Sequence, residues 1–324
     1  MQAQKKMAIY INNKCNRNCS FCYVDKTTST EMDMQVINKI INYINSQETN
    51  QYRTIIFVGG EPLLSLEKIT YFINNIKHTS INYGIMTNGT MNISELVNKI
   101  DCHNLAFNIS FISTTSKDNK LKIQNIKYLK QKHIQCNALI VNTPNNINKI
   151  FDLLLYLIKI KPNYIKVLRQ HKMGDFWTQK DIDEYAKVLS KLMHLSIYCK
   201  EKFTNVNQIS LPNKIDIPIS CSDSIYDNYA INLVDQDSIC KYDIVGIDGK
   251  QYLCDGACGE NRYSFGYIWD SPVNPYIIKE FGYQDVLYDY CYLANNPCCL
   301  SFDRLNDKYR SIYQSYLSRL EELK

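Results

Sequence analysis

The chain has 324 residues, 45% of them apolar and 21% charged, with a net charge of +5. That balance excludes mainly disordered, collagen-like and coiled-coil proteins, and the length allows one large domain or two smaller ones. No apolar run reaches the roughly 18 residues of a membrane-spanning helix, no signal-peptide core follows Met1, and the small scattered charge makes no case for nucleic acid.

In chain order, Met7 to Ile11 is a strand candidate, and Cys15, Cys19 and Cys22 follow it directly. Met34, Ile37, Ile40, Ile41 and Ile44 recur at helical spacing. Thr54 to Val58 reads as a buried β-branched strand that runs into Gly59, Gly60, Glu61 and Pro62, and Leu64 to Ile76 is helical again. Asn82 to Met86 is a strand ending in the turn signal Thr87-Asn88-Gly89. Ile93 to Ile100 is a short helix, Leu105 to Ile112 a strand, Lys117 to Lys132 a helix and Gln135 to Val141 a strand. Ile147 to Ile160 is a helix with a broad apolar face, Tyr164 to Leu168 a strand, and Asp181 to Tyr198 a helix after a loop containing Arg169, His171 and Asp175.

About six βα units predict an α/β fold with a parallel sheet and helical crossovers. Six are too few for a closed eight-stranded barrel, which leaves a curved partial barrel or an open doubly wound sheet. In both, chemistry sits at the C-terminal ends of the strands, where Arg169, His171 and Asp175 also lie, either as a plain surface loop or with one of them contacting cofactor or substrate. The pattern changes near residue 205, giving an expected division into 1–204 and 205–324. Beyond it, Asn205 to Asp237 has no helical period, and Asp243 to Cys254 reads as a β-hairpin around an Asp248-Gly249 turn. Phe265 to Trp269 is a further strand candidate, and Asp303 to Lys324 a polar amphipathic helix.

The 13 cysteines fit a reducing cytoplasmic setting better than a disulfide framework, because their number is odd and no export signal accompanies them. Cys102, Cys136 and Cys199 stand singly in apolar or helical contexts and read as ordinary packed residues. Cys15, Cys19 and Cys22 are different: a tight loop at a strand end lets three thiolates point at one site. Three thiolates on a [4Fe–4S] cubane leave one iron without a protein ligand, and an open metal position usually serves chemistry. Zinc held by three cysteines and a distant fourth ligand is the alternative on this spacing alone. One βα unit later, Gly59 and Gly60 remove side chains so that a small molecule can approach the backbone, and Glu61 supplies a carboxylate suited to an ammonium group.

With both motifs in view, residues 7 to about 200 resemble the radical S-adenosylmethionine (radical SAM) superfamily. The resemblance implies a partial (βα)6 TIM-like barrel in which Cys15, Cys19 and Cys22 ligate a [4Fe–4S] cluster, with the aromatic Phe21 before the third cysteine. It implies that S-adenosylmethionine chelates the unique iron and that Gly59, Gly60 and Glu61 hold its methionine ammonium. Asn88 and Ser110 are further cofactor contacts by the same resemblance, Ser110 toward the carboxylate or ribose. The chain departs from the family after Ser110, reading Phe111, Ile112 and Ser113 where many members have Asp-Gly. The reduced cluster would cleave the sulfonium to a 5′-deoxyadenosyl radical that abstracts a substrate hydrogen.

Late in the chain, Cys240, Cys254, Cys258, Cys291, Cys298 and Cys299 resemble the SPASM/Twitch extension of these enzymes. The likeness implies one auxiliary [4Fe–4S] cluster, on Cys240, Cys254 and two of the later cysteines, in a smaller cysteine-rich C-terminal region. The run Cys291, Cys298, Cys299 departs from the full seven-cysteine form, so a two-cluster set is not expected. Enzymes of this type mostly modify residues of peptides or proteins by crosslinking, oxidation or epimerisation. The expected substrate is therefore a ribosomally made peptide or protein, with a small molecule as the alternative and a flavodoxin or ferredoxin as electron donor. Only 14 residues precede Cys15, so the expectation slightly favours a small substrate, or a peptide read by a separate protein or by residues 205–237.

Overall fold

The computed structural model describes residues 5–22, 24–47, 52–100, 104–169, 242–252, 258–259, 261 and 264–270, with 215–216 and single positions between 180 and 191. The elements alternate as expected. β1 (Lys5–Asn12) leads through the cysteine loop to α1 (Met34–Asn45), then β2 (Tyr52–Gly59) and α2 (Leu66–Asn75). β3 (Asn82–Thr87), α3 (Ser94–Lys99), β4 (Leu105–Phe111) and α4 (Asn119–Gln131) follow. Next come β5 (Gln135–Asn142), α5 (Ile147–Ile160), β6 (Tyr164–Arg169) and the two-residue β7 (Ile215–Asp216). β8 (Tyr242–Val245), β9 (Lys250–Tyr252) and β10 (Ser264–Tyr267) close the described chain.

The chain forms two compact units: Met1–Ser110 with Lys117–Cys136 and Gln236–Tyr288, and Phe111–Ser116 with Asn137–Asp235 and Asp289–Lys324. In the first, β1 pairs in parallel with β2, β2 with β3 and β3 with β4, with Ile9 opposite Phe57 and Met86 opposite Asn108. In the second, β5 pairs in parallel with β6 and β6 with β7. This is an α/β fold with a parallel sheet core. Such strands are covered on both faces, which is why they read as near-continuous apolar runs. β1 shows it: Met7, Ile9 and Ile11 are fully buried on one face, and Ala8 and Tyr10 pack with Ile244 and Tyr252 on the other.

Helix positions follow from spacing and caps. Asp33 accepts a hydrogen bond from the Gln35 amide and starts α1, which buries Ile37, Ile40, Ile41, Tyr43 and Ile44. The helix expected over Leu64 to Ile76 is split. Glu61 caps a 3₁₀ turn at Pro62–Ser65, and α2 begins only at Leu66. In the second unit Thr143 and Asn146 form a reciprocal capping box ahead of α5. The described positions 180, 181, 184, 187, 188 and 191 are helical, within or beside the helix expected there.

The hairpin around Asp248-Gly249 is present as β8 and β9, paired antiparallel, with Gly249 at φ +81° donating to the Gly246 carbonyl. Its docking was not anticipated: β8 lies parallel to β1, with Ala8 opposite Ile244. The buried Asp243 carboxylate fixes it, accepting from the Tyr52 hydroxyl at 2.8 Å and the Gln251 amide at 2.9 Å. The last strand spans Ser264–Tyr267 rather than Phe265 to Trp269. The proposed C-terminal helix from Asp303 and most of residues 205–237 lie outside the described residues. Among the described residues no helix is long and apolar enough to cross a membrane.

Candidate functional site

The site is built at the C-terminal ends of β1 to β4. β1 ends at Asn12, and the chain then turns through Cys15, Cys19 and Cys22 before closing back on itself, with Met32 donating to Ile11 and Asn13 to Thr30. The Asn13 side chain bonds the Thr28 hydroxyl, and Lys26 donates to the Arg17 carbonyl, so the loop is held across its width. The Cys22 amide donates to the Cys19 carbonyl at 3.1 Å, a tight turn with the half-buried Phe21 inside it. All three thiols are free and half-buried. Burial pushes the Cys19 thiol up, Cys22 and Cys15 add to the rise, and Lys26 and Arg17 oppose it. The Cys19 sulfur therefore lies within electrostatic reach of both Cys15 and Cys22.

β2 delivers Gly59, Gly60 and Glu61 against the start of this loop. Gly60 donates to the Asn12 carbonyl and Glu61 to the Lys14 carbonyl, at 3.1 and 2.7 Å. A Cβ on Gly59, whose φ is +143°, would run into the Asn12 carbonyl, and one on Gly60 into the Lys14 carbonyl. The space the glycines free is thus filled by the protein's own backbone, which draws the cysteine loop onto β2. That differs from the expected role of admitting a small molecule on that side. The Asn12 amide donates to the Glu61 carbonyl and the Ser65 hydroxyl, while its buried Oδ1 has no partner among the described residues.

Glu61 is fully buried and already engaged. Its carboxylate accepts from the Leu63 amide at 3.1 Å, the Thr87 hydroxyl at 2.8 Å and the Asn88 amide at 2.7 Å. Burial raises its pKa, and these three donors pull the other way. A carboxylate offers about four lone-pair positions, and these donors occupy three of them.

The turn after β3 joins Glu61 to the cysteines. The Asn88 side-chain amide donates to Asn16 Oδ1 at 2.8 Å and faces Cys15 Sγ at 3.9 Å, and its oxygen accepts from the Thr90 amide and hydroxyl. Ser110, half-buried near the end of β4, presents its carbonyl to Lys122 Nζ at 2.6 Å. Lys122 is only 2% exposed. Burial lowers its pKa to about 8, Arg17 adding to the drop and Cys19 and Glu61 resisting it. One turn along α4, Asn125 donates to the Met91 and Gly89 carbonyls and holds the β3 turn from behind. Arg17 pairs with Asp118 at the N-terminus of α4, tying that helix to the cysteine loop.

Cys15, Cys19, Cys22, Gly59, Gly60, Glu61 and Asn88 thus share a connected hydrogen-bonded or electrostatic neighbourhood, with Ser110 joined to it through Lys122. Cys258 is half-buried elsewhere in the same unit, against Ala8, Tyr10, Ile244 and Tyr252. Cys240, Cys254, Cys291, Cys298 and Cys299 lie outside the described residues, as do His171 and Asp175 and the side chain of Arg169. Sequence reading missed Lys122, Asn12 and Asn125. A lysine or asparagine in a polar helix reads as solvated, and only the packing of α4 under the β3 turn buries two of them.

Residues 9–157, just under half of the chain, match the radical SAM superfamily. That match implies S-adenosylmethionine and a [4Fe–4S] cluster as cofactors. An uncharacterised protein of Methanocaldococcus jannaschii is 28% identical over 217 residues, 62% of this chain and 75% of that one. The radical SAM cyclopropyl synthase TigE of Paramaledivibacter caminithermalis is 26% identical over 129 residues, 34% of this chain and 27% of its own length. Among solved structures, native anSMEcpe with bound AdoMet and Cp18Cys peptide superposes with a TM-score of 0.70 at 15% identity, covering 98% of this chain and 99% of that one. Streptococcus suis SuiB bound to S-adenosylmethionine gives 0.57 at 16% identity, covering 93% and 71%. At these identities the structures establish a shared fold.

Proposed function

We propose that this chain is a radical SAM enzyme that modifies a residue of a ribosomally made peptide or protein, with Cys15, Cys19 and Cys22 holding the catalytic cluster. The observation that carries the reading is the turn of three free thiols bonded, through Asn12, Lys14 and Asn88, to the Gly59–Glu61 strand end. The residues fit the group. Three half-buried thiols in one tight loop suit a cubane, where each sulfur takes its own iron and the fourth iron is left open. When bound, the cluster and S-adenosylmethionine supply a 5′-deoxyadenosyl radical. Glu61 and the Gly59–Gly60 strand end receive the methionine ammonium, while Asn88 and Ser110 border the cofactor. Phe21, half-buried, directly precedes the third cysteine.

Peptide substrates are supported by two structural neighbours, anSMEcpe with a bound peptide and SuiB bound to precursor peptide SuiA. In this reading residues 1–204 form the catalytic barrel. Residues 205–324 carry one auxiliary [4Fe–4S] cluster on Cys240, Cys254 and two of Cys258, Cys291, Cys298 and Cys299, and a cytoplasmic flavodoxin or ferredoxin delivers the electron.

The test is anaerobic reconstitution followed by incubation with candidate precursor peptides and mass analysis. A loss of two mass units marks crosslinking or oxidation, and unchanged mass with deuterium uptake marks epimerisation. Cys254→Ala is expected to keep S-adenosylmethionine cleavage and lose peptide product. Efficient conversion of a small metabolite with every peptide untouched would replace the peptide reading.

A further inference from the structure

Asn88 does more in this site than form a turn. Its backbone amide is fixed on Glu61 Oε2 at 2.7 Å. Its side-chain oxygen accepts from the Thr90 amide at 2.9 Å and the Thr90 hydroxyl at 2.6 Å. The Thr90 hydroxyl in turn accepts from the Asn16 amide at 2.9 Å, and Asn16 Oδ1 accepts from Asn88 Nδ2 at 2.8 Å. Asn88, Thr90 and Asn16 therefore form a closed ring of hydrogen bonds. The ring settles which end of the Asn88 amide is nitrogen. Flipped, its oxygen would face Asn16 Oδ1 and its NH₂ would face the Thr90 N–H, a clash at both ends.

An amide nitrogen carries two hydrogens. One is used by Asn16, and the other faces Cys15 Sγ at 3.9 Å. We propose that Asn88 is a positioning residue whose second N–H donates to the Cys15 thiolate and so raises the reduction potential of the cluster that this thiolate helps to hold. The inference rests on the reading of Cys15 as a cluster ligand. Its physics is direct. The reduced cluster is one charge more negative than the oxidised one, so a donor aimed at a ligand sulfur stabilises the reduced form more. Asn16 lies next to Cys15 in the chain, so the same ring also fixes where that sulfur sits.

The test compares wild type with Asn88→Leu, Asn88→Asp and Thr90→Val, each full-length and reconstituted anaerobically, by EPR-monitored redox titration without S-adenosylmethionine. Asn88→Leu keeps approximate size and removes the donor. Asn88→Asp keeps shape and puts an acceptor there. Thr90→Val loosens the ring but leaves the N–H toward sulfur. Both Asn88 variants are expected to load iron and to be harder to reduce, by on the order of tenfold in the one-electron equilibrium, about 59 mV, with Asp at or beyond Leu. Thr90→Val is expected to stay near wild type. Loaded Asn88 variants with the wild-type potential overturn the inference, as does an equal shift in Thr90→Val. So does failure of both Asn88 variants to load iron while Thr90→Val loads it, because the side chain would then act only on folding. A wild-type protein that assembles no cluster at the N-terminal cysteines points instead to failure of the ligand reading.

Discussion

Lys122 shows what the individual side chain contributes. Burial depresses its pKa to about 8 from 10.5, so the unfolded chain holds that proton more tightly than the folded one. The charged ammonium therefore costs stability below about pH 8, and the cost fades as pH rises toward 10.5. In the iron-free protein, the urea stability of wild type relative to Lys122→Met is expected to improve between pH about 7 and 10. A difference that stays constant over that window would mean the ammonium keeps an ordinary pKa. Gly60→Ala is the companion test. Its Cβ would meet the Lys14 carbonyl, so the loop must shift, with an expected cost above about 2 kcal/mol and loss of iron loading. Wild-type melting and iron content in that variant would contradict the packing described. The glycines and cysteines were legible in the sequence because few roles need those types at that spacing. Lys122 was not, since burial of a charged residue is decided by tertiary packing alone.

At the scale of elements, the strands and most helices were legible because their periods differ and each ends at a recognisable cap or turn. The parallel docking of β8 on β1 was not, since its anchor is a long-range triad of Tyr52, Asp243 and Gln251. Tyr52→Phe leaves Asp243 with one fewer donor, and a cost of about 1–3 kcal/mol is expected in denaturant unfolding. An unchanged midpoint would show that β8 docks without it. In β5, Cys136 is fully buried and its thiol is pushed up to about 12, in keeping with the packed residue expected there. It should resist alkylation at pH about 8 in the native protein while the half-buried Cys15, Cys19 and Cys22 react. Iron loading should then protect those three. Rapid native labelling of Cys136 would contradict its placement.

At the scale of the molecule, the match of residues 9–157 to the radical SAM superfamily is what supports the proposed chemistry. The substrate and any auxiliary cluster depend on contacts that no local pattern of the sequence encodes. The account depends most on the N-terminal thiols. The measurement that tests it most directly is 5′-deoxyadenosine formed by the reconstituted, chemically reduced protein from S-adenosylmethionine, in wild type and in Cys15→Ala, Cys19→Ala and Cys22→Ala. The expected result is nucleoside from wild type and none above background from any of the three. Undiminished nucleoside from any single variant would contradict the account.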